Sequence, residues 1–203
     1  LTKKDVPYGL YEQDILDFYQ AKTDQPAPLF VHIHGGGFRG GDKTSVPAVL
    51  IEEFLAAGIS VAAINYRLSG VAPYPAAMED SARAIQFLRY QAREWNLDPR
   101  RVGAGGGSAG AGISLWIGFQ PDRADPDSRD PVSRQSTKLN CIACWQAQCS
   151  YDPHFLRTLI GDSAADHSAL QSYFRVTPDQ FDTPHALKMY HDPSSINYLT
   201  RHG

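Results

Sequence analysis

Apolar and polar positions change their period several times along the chain, and each change marks an element. Gln13 to Gln20 alternates, with Ile15, Asp17 and Tyr19 set against Leu16 and Phe18, as in a strand with one wetted face. Leu29 to Ile33 is a short continuous apolar run, which reads as a buried strand. From Thr44 to Ala57 the apolar residues Val46, Val49, Leu50 and Phe54 fall at helical spacing and stop at Gly58; Ser60 to Ile64 is then a further β-prone run. The longest helical pattern covers Pro75 to Trp95, with Ala77, Ala84, Ile85, Leu88 and Trp95 on one face, Pro75 near a first turn, and Glu79 and Asp80 toward the positive end of the helix dipole. Arg101 to Gly105 reads as a short strand, Ser108 to Gly118 as a helix, Gln120 to Thr137 as a polar insertion, and Asn140 to Ala147 as an apolar, buried strand. After Tyr151 the pattern breaks into short helical pieces, Pro153 to Ile160 and Thr183 to Tyr190. Residues 151–203 are expected to form cap or excursion helices over the carboxyl edge of a sheet.

Strands alternating with helices predict an α/β fold: a mostly parallel central sheet with helices on both faces. No repeat or low-complexity tract divides the 203 residues, so one domain is expected. With 42% hydrophobic and 20% charged residues the chain can bury a core. A formal net charge of -3, without a Lys/Arg cluster, gives no footprint for nucleic acid. No apolar stretch reaches the roughly 18 to 20 residues that span a bilayer. Cys141 and Cys144 spell C-x-x-C with Cys149 nearby, but no second pair or His pair completes a zinc set, so they read as small hydrophobes and no metal site is expected.

The candidate chemistry sits at two glycine-rich turns. Gly106-Gly107-Ser108-Ala109-Gly110 fits G-x-S-x-G between a strand and a helix, the context of a nucleophile elbow. A serine on so sharp a turn needs neighbours without side chains, and the helix that follows aims its N-terminal N–H groups at charge forming beside the hydroxyl. The same glycines also fit G-x-G-x-x-G, a dinucleotide fingerprint, but the turn is not the first strand-to-helix junction, and Asp122, Asp125 and Asp127 lie in a polar loop instead of ending a strand. The second turn decides between them. His34-Gly35-Gly36-Gly37-Phe38 follows a buried strand, and a glycine run lets backbone N–H groups turn inward on a carbonyl oxygen that becomes an oxyanion.

With both motifs in place the sequence resembles the α/β-hydrolase carboxylesterases of the hormone-sensitive-lipase-like and feruloyl/acetyl-esterase-like branches. The resemblance covers Tyr8 to about Tyr151 and includes Gly40-Gly41-Asp42-Lys43, Asn65-Tyr66-Arg67-Leu68, the Pro73 to Asp80 approach to a helix, and Asp98-Pro99-Arg100-Arg101-Val102. It implies an α/β-hydrolase fold, Ser108 as nucleophile, and oxyanion amides from Gly36, Gly37 and Ala109. It also implies a loop-fixing His34, a small-molecule ester of small to medium acyl length as substrate, and neither metal nor organic cofactor. Asp80 resembles a position that orders the sheet edge, and reads equally well as a helix-start acid.

In this fold the triad acid and histidine follow the serine. The acids Asp152, Asp162, Asp166, Asp182 and Asp192 and the histidines His154, His167, His185, His191 and His202 each read as loop residues or helix caps. The expectation is therefore that acid and histidine lie beyond Gly203, with the final sheet strands. A serine peptidase of the same fold, and a non-catalytic binding domain, are the alternatives. A sheet edge left open by missing strands could pair with a second chain in a homo-oligomer.

Overall fold

In a computed structural model, residues 1–161, 163 and 166–199 are described. Six strands, β1 (Lys3–Pro7), β2 (Ile15–Tyr19), β3 (Ala27–Ile33), β4 (Ser60–Ile64), β5 (Leu97–Gly107) and β6 (Cys141–Trp145), form one sheet in the order β1-β2-β4-β3-β5-β6. β3, β4, β5 and β6 run parallel, while β1 and β2 pair antiparallel to their neighbours. The largely apolar strands β3 and β4 sit in the middle because both of their faces are covered.

Alternation along β3 divides the core. Leu29, Val31 and Ile33 face α2 (Ala76–Tyr90) and α3 (Ala109–Phe119), joining Ile85, Leu88, Ile113 and Ile117 in one buried cluster. Phe30 turns to the other face and meets Phe54 of α1 (Ala48–Ala56), ring centroids 4.7 Å apart. Each fully buried aliphatic side chain contributes about 1.5–3 kcal/mol relative to exposure, so a polar substitution at Val31 or Ile33 would break the sheet's hold on α3.

Several expectations need correction. The Thr44 to Ala57 pattern is two pieces, a short 3₁₀ turn at Lys43–Ser45 and then α1, because Pro47 carries no N–H for a continuous helix. Asp17 is not on a wetted face: it is buried, with its carboxylate 3.0 Å from the buried ammonium of Lys43. The strand near Cys141 exists, but it is not buried: Cys141, Ala143 and Trp145 are exposed, because among the described residues β6 is an edge strand paired only with β5. Cys141 and Cys144, three apart in a strand, point to opposite faces. The polar insertion is stapled onto α2: Arg83 pairs with Asp130, and Gln86 Nε2 donates to the carbonyl oxygens of Ser133 (3.2 Å) and Gln135 (2.8 Å).

Beyond β6 lie α4 (Pro153–Ile160), α5 (Ser168–Phe174) and α6 (Pro184–His191). Side-chain caps start all three, from Asp152, His167 and Thr183 respectively. Leu170, Tyr173, Phe174, Ala186 and Tyr190 tie α5 and α6 into the main core cluster.

Candidate active site

The chain winds from β3 outward to β4, then returns past β3 to β5, so the winding direction reverses between β3 and β5. Ligands of open α/β sheets bind outside the carboxyl ends of the strands at such reversals. Both glycine-rich motifs stand at this reversal, His34 to Gly37 after β3 and Ser108 after β5.

Ser108 has φ 52° and ψ -120°, a region that costs a non-glycine residue about 1–3 kcal/mol. Its backbone N–H donates to the Trp145 carbonyl at 3.2 Å, and its own carbonyl accepts from Gly112 N at 3.0 Å to open α3. The turn is possible because Gly106 and Gly110 both lie on the end of β3: a Cβ on either would collide with the Ile33 carbonyl oxygen. A Cβ on Gly35 would stand 2.9 Å from the Gly107 carbonyl and 3.5 Å from Ser108 Cβ, so the glycine loop leans directly on the elbow. Ser108 is half-buried, and Ala109 behind it is buried at the N-terminus of α3.

The loop itself is tightly curled. Gly36 (φ 107°), Gly37 (φ 61°) and Phe38 (φ 61°) have positive φ, and the Gly36 carbonyl accepts from both Arg39 N (3.1 Å) and Gly40 N (3.2 Å). His34 fixes its start. The buried ring stacks on Tyr66 with centroids 4.3 Å apart, Nδ1 lies 2.7 Å from the Gly35 carbonyl, and the Tyr66 hydroxyl donates to the His34 carbonyl at 2.9 Å. Burial pushes the His34 pKa down, against the pull of the Gly35 carbonyl and Asp42. A neutral ring whose Nδ1–H donates to backbone is a strut. The loop's return is clamped by Asn65, which donates to Asp42 (2.8 Å) and accepts from Lys43 N (2.5 Å). Burial works against ionisation of Asp42, but hydrogen bonds from Asn65 and Thr44 outweigh it and hold the pKa at about 2.

From outside, α5 covers the loop. A Cβ on Gly37 would be 3.2 Å from Ala169 Cβ, the Phe38 and Tyr173 rings stack in parallel 3.8 Å apart, and Arg39 donates to Ser168 at 3.1 Å. Asp80 binds the Arg67 guanidinium through both oxygens (2.8 and 2.6 Å) and also accepts from Arg67 N at 3.0 Å. It thus locks the chain leaving β4 to α2. Sequence reasoning missed Tyr66, Asn65 and Tyr173 as supports. Asn65 and Tyr66 carry a usable signal, since they directly follow a buried strand on the same sheet edge; Tyr173 carries none.

Most of the described acids and histidines considered for the triad have partners of their own. Asp152 caps α4, Asp166 pairs with Arg157 at 2.9 Å, and Asp182 accepts from His154 Nε2 at 2.8 Å in an exposed pair. His167 Nδ1 accepts the Ala169 N–H at 3.2 Å, His191 lies 3.8 Å from Asp192, and His185 is exposed on α6. Asp162 and His202 fall outside the described residues. Among the described residues no histidine is hydrogen-bonded to the Ser108 hydroxyl.

The fold is that of the α/β-hydrolases, and the chain belongs to the BD-FAE family, whose profile matches residues 16–150. Among curated relatives, the carboxylesterase NlhH of Mycobacterium tuberculosis is 36% identical over 115 residues, covering 56% of this chain and 36% of that protein. The esterase LipI of the same species is 34% identical over 91 residues, 45% of this chain and 28% of that protein. An acetyl ester-xyloside bifunctional hydrolase from Caldicellulosiruptor lactoaceticus superposes with a TM-score of 0.74 at 25% identity, over 92% of this chain and 61% of that structure. The matched region thus spans about a third of the length of these curated relatives.

Proposed function

We propose that this chain carries the nucleophile and oxyanion hole of a serine esterase that hydrolyses carboxylic esters of small to medium acyl groups. The observation that carries the reading is Ser108 on its strained elbow with the Gly35 to Gly37 loop against it. Ser108 Oγ attacks the ester carbonyl carbon as a base takes its proton, and the C=O electron pair moves onto oxygen. The N–H groups of Gly36, Gly37 and Ala109 receive that oxyanion, helped by the positive end of α3. Collapse expels the alcohol, which regains the proton, and water then releases the acid from the acyl-serine. The base and its carboxylate partner come from outside the described residues. The names of the esterase relatives and the retained glycines favour this over a peptidase or a non-catalytic domain.

The test is hydrolysis of p-nitrophenyl butyrate by the protein and by Ser108→Ala. The substitution should lower kcat/KM by at least about 10³-fold, as loss of a serine nucleophile does. Activity that survives it would place the nucleophile elsewhere.

A further inference from the structure

The glycine loop after β3 runs back through Gly40, Gly41 and Asp42 to Lys43, and this return leg lies directly on the loop's start. A Cβ on Gly36 would stand 2.2 Å from the Gly40 carbonyl oxygen. One on Gly41 (φ 101°) would stand 2.4 Å from His34 Nδ1 and 2.5 Å from the Gly35 carbonyl oxygen. Close-packed backbone leaves no slack, so a shift of residues 40 and 41 passes to Gly35 and Gly36. Lys43 anchors the leg at both of its ends. Its backbone N–H donates to Asn65 Oδ1, and its side chain reaches β1 and β2. There Nζ lies 2.8 Å from Asp5 Oδ1 and 3.0 Å from Asp17 Oδ1, and Asp17 Oδ1 also accepts from Asp5 N at 2.9 Å. Lys43 is 3% exposed and Asp17 2%, so this is a charged pair inside the protein. Burial works against the ammonium's charge, but hydrogen bonds to Asp5 and Asp17 outweigh it and raise the Lys43 pKa.

A buried ion pair is a poor source of stability, since lost hydration offsets most of the attraction and apolar residues of similar volume often do as well. What it supplies instead is a fixed place, because a charge-assisted hydrogen bond is short and directional where an apolar contact can slide. We propose that Lys43, seated on Asp17, is a positioning residue for ester hydrolysis: it fixes the return leg and, through it, the Gly36 and Gly37 N–H groups where the oxyanion forms. This rests on the esterase reading above. Lys43 acts through the loop and not on the reacting atoms. Displaced oxyanion donors leave substrate binding intact and weaken contacts made only in the transition state, so the effect falls on kcat.

The test is the double variant Asp17→Leu with Lys43→Met, which replaces both buried charges by apolar side chains and leaves neither without its partner. With p-nitrophenyl butyrate, kcat should fall on the order of tenfold or more while KM stays within about twofold. Amide hydrogen exchange is followed by NMR at Arg39 and Gly40, whose N–H groups donate to the Gly36 carbonyl. Exchange there should be on the order of tenfold faster, and unchanged at Ala62 and Ala63 of β4, which move only if the whole fold loosens. Asp17→Asn keeps the side chain's size and removes one charge; it should show the same split at about threefold, and it decides the matter if the double variant does not fold. An unchanged kcat, a raised KM in its place, or a lower kcat without faster exchange at Arg39 and Gly40 overturns the assignment. Should the unsubstituted protein show no esterase activity, the exchange alone decides. Faster exchange at Arg39 and Gly40 would then uphold Lys43 as the loop's anchor while the esterase reading fails, and unchanged exchange would overturn the anchor as well.

Discussion

Single residues here hold conformations that their side chains would not choose. Gly106 and Gly110 exist so that β3 and the elbow can touch, and Gly110→Ala drives a methyl into the Ile33 and His34 carbonyls. Overpacking of this kind costs about 1–3 kcal/mol, so the denaturation midpoint of Gly110→Ala should fall and its Ser108 reactivity should fall with it. An unchanged midpoint would mean that β3 and α3 can separate freely. His32 is a second such residue, buried on β3 with Nδ1 lacking a partner among the described residues. Burial, with a smaller contribution from His34, holds its pKa at about 4 against an unperturbed 6.5. Between those values the unfolded chain binds a proton that the folded chain refuses, so the stability is present above pH 6.5 and is lost as pH falls toward 4. The loss is on the order of 3 kcal/mol. Urea midpoints at pH 7.5 and 4.5 should show it, and His32→Leu should remove the His32 share of the difference while leaving that of buried His34, whose pKa burial also lowers. The carboxylates Asp42, Asp98 and Asp130, held near 2, lose their contribution only below their unperturbed 3.8 and so do not confuse this window.

At the scale of elements, the site is a pair of strand ends braced from two sides. Arg67 and Asp80 fix the chain between β4 and α2, and Asp80→Ala leaves a largely buried guanidinium without its partner. A loss of about 3–5 kcal/mol in denaturant unfolding is expected; a change within error would show that the pair is replaceable by water. α5 braces the His34 to Phe38 loop through the Phe38–Tyr173 stack. The Tyr173 hydroxyl is buried without a partner among the described residues, so Tyr173→Phe should be neutral within about 1 kcal/mol. Tyr173→Ala should cost about 3–5 kcal/mol and slow acylation of Ser108. Equal acylation rates in all three proteins would uncouple α5 from the site. These elements also show what could be read from sequence. β4 and the two glycine turns were legible because their signals are local: a five-residue apolar run and glycines where no side chain fits. The burial of β6 was not, since an edge is defined by the strand that does not pair with it. α5, with seven residues, is too short to show a period, and its role comes from stacking on a loop more than a hundred residues earlier.

Across the whole molecule, the carboxyl edge brings Ser108 and the His34 to Gly37 loop together at the point where the sheet reverses its winding. Sequence carried the fold class and the place of Ser108 on a strand-to-helix elbow, because one residue pattern demands both. It could not carry the acid and histidine, because those roles depend on three-dimensional approach to Ser108, and most of the described candidates serve as caps and surface pairs. The central claim is that Ser108 is an activated nucleophile, and the most direct measurement is intact mass after treatment with a fluorophosphonate, for the protein and for Ser108→Ala. A single adduct on the protein and none on the variant is the expected result. An adduct that persists in Ser108→Ala, or no adduct on a protein that hydrolyses esters, would contradict it.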